Sequence, residues 1–189
     1  NHSSDVRVIN CDIADYGTPR LPYNLVNVKE IYRDNGRNIN NQAGICIRGG
    51  SNLVIERNFI HDPRSKANPW FYCHPSGPNA IFAGETENAT VRYNDFVGSD
   101  QHRWNDAVES SDNGSLLGSF YKNAEIYGNY FAFGNDDGIE MDGGQINARF
   151  FRNKCEGTLC GISTAPCLAG PSYYFENLIV NLGDQFRFA

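Results

Sequence analysis

The sequence predicts an all-β solenoid, in which short strands wind into stacked coils of similar length. The main observation is a recurring motif with an apolar residue three positions before an asparagine and another two positions after it. Its asparagines are Asn58, Asn94, Asn129, Asn153 and Asn177. Their spacings of 36, 35, 24 and 24 residues indicate a period near 24 with insertions. The many asparagines and the 19 glycines suit turns and strands better than helices.

The asparagine column has a physical explanation in stacked coils. Asparagine tolerates the left-handed backbone conformation, so we expect it at a tight bend between two strands. Stacked one coil above another, these side chains would hydrogen-bond along a ladder. Cys11 occupies the asparagine position of the first coil, 47 residues before Asn58, which leaves room for one extra coil or one long excursion. The column predicts about six to seven coils.

A second motif precedes each asparagine and is typical of a short strand with one buried face. Apolar residues alternate with Glu140 and Asp142, which is the period of two expected for such a strand. The same pattern occurs 31 residues upstream, where Asp106 aligns with Asp137 and Glu109 aligns with Glu140. A repeated pattern predicts a repeated structural position, so these acids should belong to adjacent coils.

Adjacent coils would crowd these acids together. Equivalent residues stack about 4.8 Å apart, so Glu109 and Glu140 should be outward neighbours, with Asp106 and Asp137 paired beside them. Like charges this close cannot all stay ionised without a cation or a shared proton. Three outcomes are open: a Ca²⁺ site, acid and base roles on a glycosidic bond, or turn-capping acids that accept backbone N–H bonds. The candidate metal ligands are Asp137, Glu140, Asp142 and Glu109.

The chain resembles the right-handed parallel β-helix proteins of the pectate-lyase-like superfold, over nearly all residues from Val6 to Ile179. The resemblance rests on the coil period, the asparagine column and the strand order. It implies three parallel sheets per coil, with the acid strands in the first sheet and a substrate cleft along it. We expect one domain over residues 1–189, a fragment of a longer helix whose open ends contact further coils or partner chains. The alternative, an antiparallel β-sandwich, would not produce a fixed asparagine column.

Three insertions should wall the cleft, and these are the loops 62–79, 97–105 and 112–123. Long loops in a compact repeat are usually functional or disordered, and loops this aromatic are not disordered by composition. Aromatic rings suit stacking on the apolar faces of sugars, although they also suit packing against the coil. The candidate substrate-binding residues in the loops and cleft strands are Trp104, Phe82, Trp70, Tyr72 and Arg48.

The candidate catalytic residues are the repeated acids and two cationic neighbours: Glu109, Glu140, Asp137, Asp106, Arg103 and His102. In lyases that resemble this fold, an arginine removes the proton next to a uronate carboxylate, with Ca²⁺ acidifying it. Arg103 lies in the loop before an acid strand and is the candidate for this base. The alternative is an ordinary salt bridge between Arg103 and a nearby acid. The Gly-His-Gly and Arg-Ile-Lys signatures of polygalacturonases are missing, as is the Arg-x-Pro-x-x-Arg of pectate lyases. The resemblance therefore identifies a fold and no enzyme family.

Composition restricts the partners and the compartment. The net charge of −6 argues against nucleic acid, and no apolar run is long enough to span a membrane. The even number of six cysteines predicts a secreted protein with disulfides, including one local bridge among Cys155, Cys160 and Cys167, although buried thiols are the alternative. We therefore predict a secreted polysaccharide-degrading enzyme, either a glycoside hydrolase or a polysaccharide lyase. A non-catalytic structural or glycan-binding β-helix of an extracellular or surface assembly is the alternative.

Overall fold

A computed structural model describes residues 3–17, 42–70, 75 and 77–181, and the backbone of residues 33–34 and 37–38. The strands of these residues are β1 (Ser3–Ser4), β2 (Arg7–Ile9), β3 (Asp12–Ile13), β4 (Arg33–Asp34), β5 (Arg37–Asn38), β6 (Ala43–Glu56), β7 (Phe59–His61), β8 (Asn79–Arg92), β9 (Asp95–Val97), β10 (Val108–Ser110), β11 (Glu125–Tyr127), β12 (Tyr130–Ala132), β13 (Asp137–Glu140), β14 (Ala148–Phe151), β15 (Lys154–Glu156), β16 (Cys160–Ser163), β17 (Ser172–Phe175) and β18 (Leu178–Val180). No helix that could cross a membrane occurs in the part of the chain described here.

The strands wind into a parallel β-helix of six coils within the described residues. The first face is formed by β6, β8, β10, β13 and β16, and the second by β2, β6, β8, β11, β14 and β17. These two faces are one continuous sheet because β6 and β8, of 14 residues each, run through the corner between them. The third face is a separate sheet of β3, β7, β9, β12, β15 and β18. A small antiparallel pair, β4 and β5, lies apart from them. The predicted solenoid is confirmed.

The core is built from apolar columns that run along the coil axis. Parallel pairing places Ile45, Ile81, Val108, Ile139 and Ile162 in one register, as the sequence predicts. The three central members are fully buried, whereas the two end members are only partly buried. Each coil therefore covers its neighbour, and an inner coil buries its apolar side chains only because both neighbours are present.

The predicted asparagine ladder lies inside the corner between the second and third faces. It contains one residue from each coil: Cys11, Asn58, Asn94, Asn129, Asn153 and Asn177. At every step the Oδ1 atom of one asparagine accepts a hydrogen bond from the backbone N–H of the preceding member of the ladder. Where the preceding member is an asparagine, the same oxygen also accepts a bond from its side-chain amide, and all of these bonds measure 2.9–3.2 Å. Each asparagine amide also donates to a backbone carbonyl of the preceding coil, as Asn94 does to Ile55 at 3.0 Å. The ladder thus satisfies buried backbone groups at the bend.

The left-handed conformation predicted for these asparagines is wrong. The positive φ belongs to the residue before each one, as at Arg57 (53°), Tyr93 (57°) and Arg152 (53°). An asparagine that points inward satisfies buried donors and acceptors, and its neighbour makes the bend. The asparagine column therefore exists because of side-chain hydrogen bonding and not because of backbone conformation.

A second ladder, which the sequence analysis missed, runs along another corner at the surface. It consists of Asp5, Asn52, Asn88, Asn123 and Asn147. All five have φ between 53° and 58°, and each asparagine amide donates to the side-chain oxygen of the preceding member at 3.0–3.2 Å. These residues are exposed or partly exposed. The expected left-handed asparagine bend therefore occurs at this corner.

No disulfide joins any two of the described cysteines, Cys11, Cys46, Cys155, Cys160 and Cys167, so the predicted bridge among the last three is wrong. The three C-terminal cysteines belong to different parts of the coil. Cys155 points into the core from β15, Cys160 lies on the first face in β16, and Cys167 is exposed in the loop after it. Their spacing in the sequence is short, but the coil separates them. Cys73 lies outside the described residues.

Candidate active site

Parallel pairing of β10 with β13 brings the repeated glutamates together. Val108 pairs with Ile139, so Glu109 and Glu140, which follow them, are neighbours on adjacent coils. Carboxylate oxygens of Glu109, Glu140 and Asp106 lie within 4.8 Å of one another. The predicted adjacency of these acids is therefore present in the structure.

A second group of carboxylates adjoins the first. Oxygens of Asp106, Asp136 and Asp137 also lie within 4.8 Å of one another, and all three residues are buried. Because Asp106 belongs to both groups, the five residues form one acid cluster: Asp106, Glu109, Asp136, Asp137 and Glu140. It lies on the first face, where the sequence places the cleft.

Two N–H donors hold the carboxylate of Glu140. The backbone N–H of Ser110 donates to Oε2 at 3.0 Å, and the amide of Asn113 donates to Oε1 at 2.8 Å. Asn113 lies in the insertion after β10, so this loop supplies one of the two donors. With both oxygens accepting a hydrogen bond, Glu140 is oriented and its ionised form is favoured.

Asp106 and Glu109 are joined through Asn105. The Asn105 amide donates to Asp106 Oδ2 at 2.8 Å and to Glu109 Oε2 at 2.7 Å. Asp106 Oδ1 accepts a further bond from the backbone N–H of Asp137 at 2.7 Å. The Asp106 and Glu109 carboxyls also hydrogen-bond each other, which requires a proton on one of them. Desolvation, followed by the charges of Glu109 and Asp137, raises the pKa of Asp106 well above its usual range, so the proton of this bond belongs on Asp106.

Burial and mutual repulsion raise the pKa values of four members of the acid cluster: Asp106, Glu109, Asp137 and Glu140. Desolvation, followed by the charge of Glu140, raises the pKa of Glu109 to about 8. Desolvation, followed by the charge of Asp136, raises the pKa of Asp137 to about 8. Desolvation also raises the pKa of Glu140, but the two N–H donors described above oppose the rise. The cluster therefore keeps some protons at neutral pH, and the two N–H donors of Glu140 favour its charge against the effect of burial.

Asp142, a predicted metal ligand, faces the next coil. Its Oδ1 accepts the hydroxyl of Ser163 at 2.8 Å and the backbone N–H of Ala165 at 2.7 Å. It does not belong to either group of converging carboxylates. These bonds secure the chain after β16.

The donor set has the chemistry that Ca²⁺ requires, since carboxylate and amide oxygens are its preferred ligands. Asp137 Oδ1 and Asn105 Oδ1 are buried and accept no hydrogen bond. Both oxygens of Glu140, in contrast, already accept N–H donors. Oxygens of Asp106, Asp136 and Asp137 converge within 4.8 Å, so these residues could hold such an ion, and Ca²⁺ binding by this chain stays a prediction.

A cavity of about 380 Å³ opens beside Glu140, toward the following coil. Four of the residues that line it are acids: Asp136, Asp137, Glu140 and Asp142. Its other walls include Asn113 and the strand β16. Glu109 lies on the opposite side of Glu140, one coil away, and is partly exposed.

The two predicted cationic residues lie in the loop before β10. Arg103 donates to the Gly134 carbonyl at 3.4 Å and to Asn135 Oδ1 at 3.5 Å, and it pairs with Asp100 at 3.8 Å. His102 Nδ1 donates to the Pro63 carbonyl at 2.7 Å. Both residues therefore fasten loops to the coil, and their catalytic roles stay predictions.

Two of the predicted stacking residues are buried, so their proposed role is wrong. Trp104 has no exposed surface and stacks on Tyr16, with 6.5 Å between ring centroids. Phe82 is only 6% exposed, and the guanidinium of Arg48 lies over its ring at 5.8 Å. Trp104 is buried because its loop folds back onto the coil, whereas Phe82 lies in β8 beneath the side chain of Arg48. Arg48 itself is exposed on the first face.

The remaining aromatic predictions concern the loop 62–79. Trp70 is partly exposed, and its contact with a sugar stays a prediction. Tyr72 lies outside the described residues. The loops 97–105 and 112–123 are described in full, and both contact the first face through the residues named above.

Two functional residues were missed by the sequence reasoning. Asn105 carried a signal, since the offset of 31 residues aligns it with Asp136 on the next coil. Asn113 carried none, because it lies in an insertion that has no equivalent in other coils. Periodicity therefore finds residues of the coil and overlooks donors that the insertions bring to it.

A family model described as the right-handed beta helix region matches residues 1–166. No curated protein and no solved structure matches the chain. The family match agrees with the coiled parallel sheets, the buried asparagine ladder and the strand order. It concerns the fold, and the chemistry has to be argued from the site.

Proposed function

This chain belongs to the right-handed beta helix family, and from the geometry of its acid cluster we propose that it hydrolyses glycosidic bonds of a polysaccharide. The observation that carries the proposal is the pair Glu109 and Glu140, whose carboxylate oxygens lie within 4.8 Å on adjacent coils. Glycosidases act with two carboxyl groups, one protonated and one ionised. The surroundings of the two glutamates differ in that sense.

Glu140 is the ionised member of the pair. Its two oxygens accept N–H bonds from Ser110 and Asn113, which stabilise the charge and fix the orientation. Glycosidases that form a covalent intermediate have carboxyl groups about 5 Å apart, whereas those that place a water between them need a wider gap. The close approach to Glu109 therefore favours attack by a Glu140 oxygen on the anomeric carbon.

Glu109 is the proton donor. It hydrogen-bonds Asp106, and desolvation followed by the charge of Glu140 raises its pKa in spite of this bond. A pKa of about 8 keeps Glu109 protonated at neutral pH. This is the property that a general acid requires when the leaving group is a sugar oxygen.

The reaction then proceeds in two steps. Glu109 gives its proton to the glycosidic oxygen while the bond to the anomeric carbon breaks and a Glu140 oxygen forms the glycosyl ester. In the second step Glu109, now a carboxylate, takes a proton from water, whose oxygen attacks the anomeric carbon and releases Glu140. The proton ends on Glu109 again, so both residues are restored.

Two features favour hydrolysis over the alternatives. A lyase would need a cationic base, and Arg103 is engaged with Gly134, Asn135 and Asp100. In a non-catalytic β-helix, arginine side chains would be expected to neutralise the acids. The charges that act on Glu109 and Asp137 are instead those of other carboxyls, which raise both pKa values. We also propose a secreted location, because the polysaccharides that surround cells lie outside them.

The test is turnover of a panel of polysaccharides by the wild type, Glu109→Gln and Glu140→Gln. Each variant should lose a factor of about 10² to 10⁴ in kcat, because each removes one half of the acid and nucleophile pair. Glu125→Gln, a substitution of the same kind on the second face, should keep full activity. Sugar products without a new double bond would support hydrolysis over elimination. Unchanged turnover by Glu140→Gln would remove the proposed centre.

A further inference from the structure

The insertion after β10 contains the dipeptide Asn113-Gly114, a pair that is chemically unstable in proteins. The backbone nitrogen of the glycine can attack the side-chain carbonyl carbon of the asparagine, because glycine has no Cβ that restricts the backbone. The sequence holds one other such pair, Asn35-Gly36, which lies outside the described residues. Among the described asparagines, Asn113 alone is followed by glycine.

The backbone around this pair leaves it accessible. Asn113 and Gly114 are the two central residues of a turn, in which the Ser115 N–H donates to the Asp112 carbonyl at 3.2 Å. Gly114 is exposed, and a Cβ built on it would contact only Asp112 Oδ1, at 3.5 Å. The nitrogen of Gly114 therefore has room to approach the side chain of Asn113.

Two carboxyls are bonded to the groups that would react. The Gly114 N–H donates to Asp112 Oδ1 at 3.0 Å, so a carboxylate is in place to accept the proton that this nitrogen must lose. Nδ2 of Asn113, the nitrogen that would leave, donates to Glu140 Oε1 at 2.8 Å. The unstable pair is therefore joined directly to a carboxyl of the acid cluster.

We propose that Asn113 is a site of spontaneous deamidation, which replaces the amide donor to Glu140 by a carboxylate. The Gly114 nitrogen loses its proton and bonds to Cγ of Asn113. The bond from Cγ to Nδ2 breaks, and that nitrogen takes a proton and leaves as ammonia. Water then opens the five-membered imide ring at either carbonyl. The products are aspartate and isoaspartate, and water is the only other reactant.

The modification should reduce the activity proposed above, and this part of the inference rests on the proposed function. A carboxylate at position 113 has no N–H to donate, so Glu140 keeps only the bond from Ser110. The new charge also faces a carboxyl that Asp142 and Asp136 already repel. The modified loop should therefore move away from Glu140, and the protein should lose activity at the rate at which Asn113 is lost.

The chemical test follows the protein as it ages at mildly alkaline pH. Trypsin releases Asn113 in the peptide of residues 104–122 and separates it from Asn35. We expect this peptide to gain the mass of an OH in place of an NH₂ and to contain isoaspartate. Gly114 does not have a positive φ, so Gly114→Ala is accommodated and should slow the change at least about tenfold. The internal controls, which precede alanine and should stay intact, are Asn88, Asn123 and Asn147.

The activity test uses Asn113→Asp, which supplies one product directly and should lose about tenfold in kcat. Gly114→Ala should begin with the turnover of the wild type and keep it through the same ageing. An unmodified peptide 104–122, or equally fast modification of Gly114→Ala, would overturn the inference. Modification without loss of turnover would overturn its consequence for Glu140. A fresh protein that cleaves no polysaccharide would contradict the proposed hydrolase and leave the chemical result standing.

Discussion

The stability of this β-helix should fall as the pH rises from about 5 to about 9, because its acid cluster binds protons more tightly when folded. The folded chain holds Glu109 and Asp137 with pKa values near 8, far above those of free carboxyls. Between the ordinary and the raised pKa the folded state therefore carries more protons than the unfolded state. The contribution of these groups is fully present below the ordinary carboxyl pKa and is lost as the pH rises through about 8.

The size of the loss follows from the pKa values. For Glu109, about 8 in place of 4.5 corresponds to about 5 kcal/mol, at about 1.4 kcal/mol for each pH unit. Asp137 starts from 3.8 and would contribute a similar amount alone. The two carboxyls belong to one cluster, so ionising one opposes ionising the other and the contributions do not add. We expect a total loss of about 5 kcal/mol, which is a large part of the stability of an ordinary domain.

Urea denaturation at a series of pH values measures this loss. The free energy of unfolding should fall steadily across the interval, with a constant dependence on urea concentration. The double variant Glu109→Gln, Asp137→Asn should reduce the slope, because amides do not titrate, and the raised pKa values of Asp106 and Glu140 account for the slope that remains. Asp95→Asn, on the exposed third face, should keep the wild-type slope. A stability that stays level or rises toward pH 9, or a double variant with the wild-type slope, would refute the reasoning.

Two further predictions concern the residues that hold the coils and the site. Asn94→Ala should destabilise the fold by about 2–6 kcal/mol in urea denaturation, because a buried backbone N–H and a buried carbonyl of the preceding coil lose their partner. Asn88→Gly keeps the left-handed bend of the exposed ladder and should cost less than about 1 kcal/mol; equal losses would contradict the distinction. Asn113→Ala should move the acidic limb of the pH–rate profile to higher pH, because Glu140 loses a donor that favours its charge. An unshifted limb, as expected for Asn88→Gly, would show that Asn113 does not position Glu140.

The sequence predicts what repeats in every coil. The spacing of the asparagines locates the buried ladder, and one offset of 31 residues places Glu109 beside Glu140. Both conclusions follow from periodicity, since residues separated by one coil become neighbours in a parallel stack. No knowledge of the side-chain surroundings was needed for them.

Periodicity alone could not distinguish the two asparagine ladders. Asn52 and Asn88 are 36 residues apart, as are Asn58 and Asn94, so both columns have the same spacing. Only the flanking apolar residues distinguish an asparagine that points inward from one at an exposed bend. The pattern of apolar residues does not show which residue has the positive φ. Trp104 was assigned to the cleft for a related reason, because a loop residue has no coil position from which burial can be inferred.

The insertion after β10 explains how the fold keeps a precise site while its loops vary. The loop leaves the coil at Ser111, which donates to Ala83, and returns at Lys122, which donates to Thr86. Its two ends are thus fixed to positions only three residues apart on the coil below. The next coil stacks as if the insertion were absent, and β13 keeps its register with β10. The coils can therefore hold the carboxylates in place while an insertion, through Asn113, supplies a donor that favours the charge of Glu140.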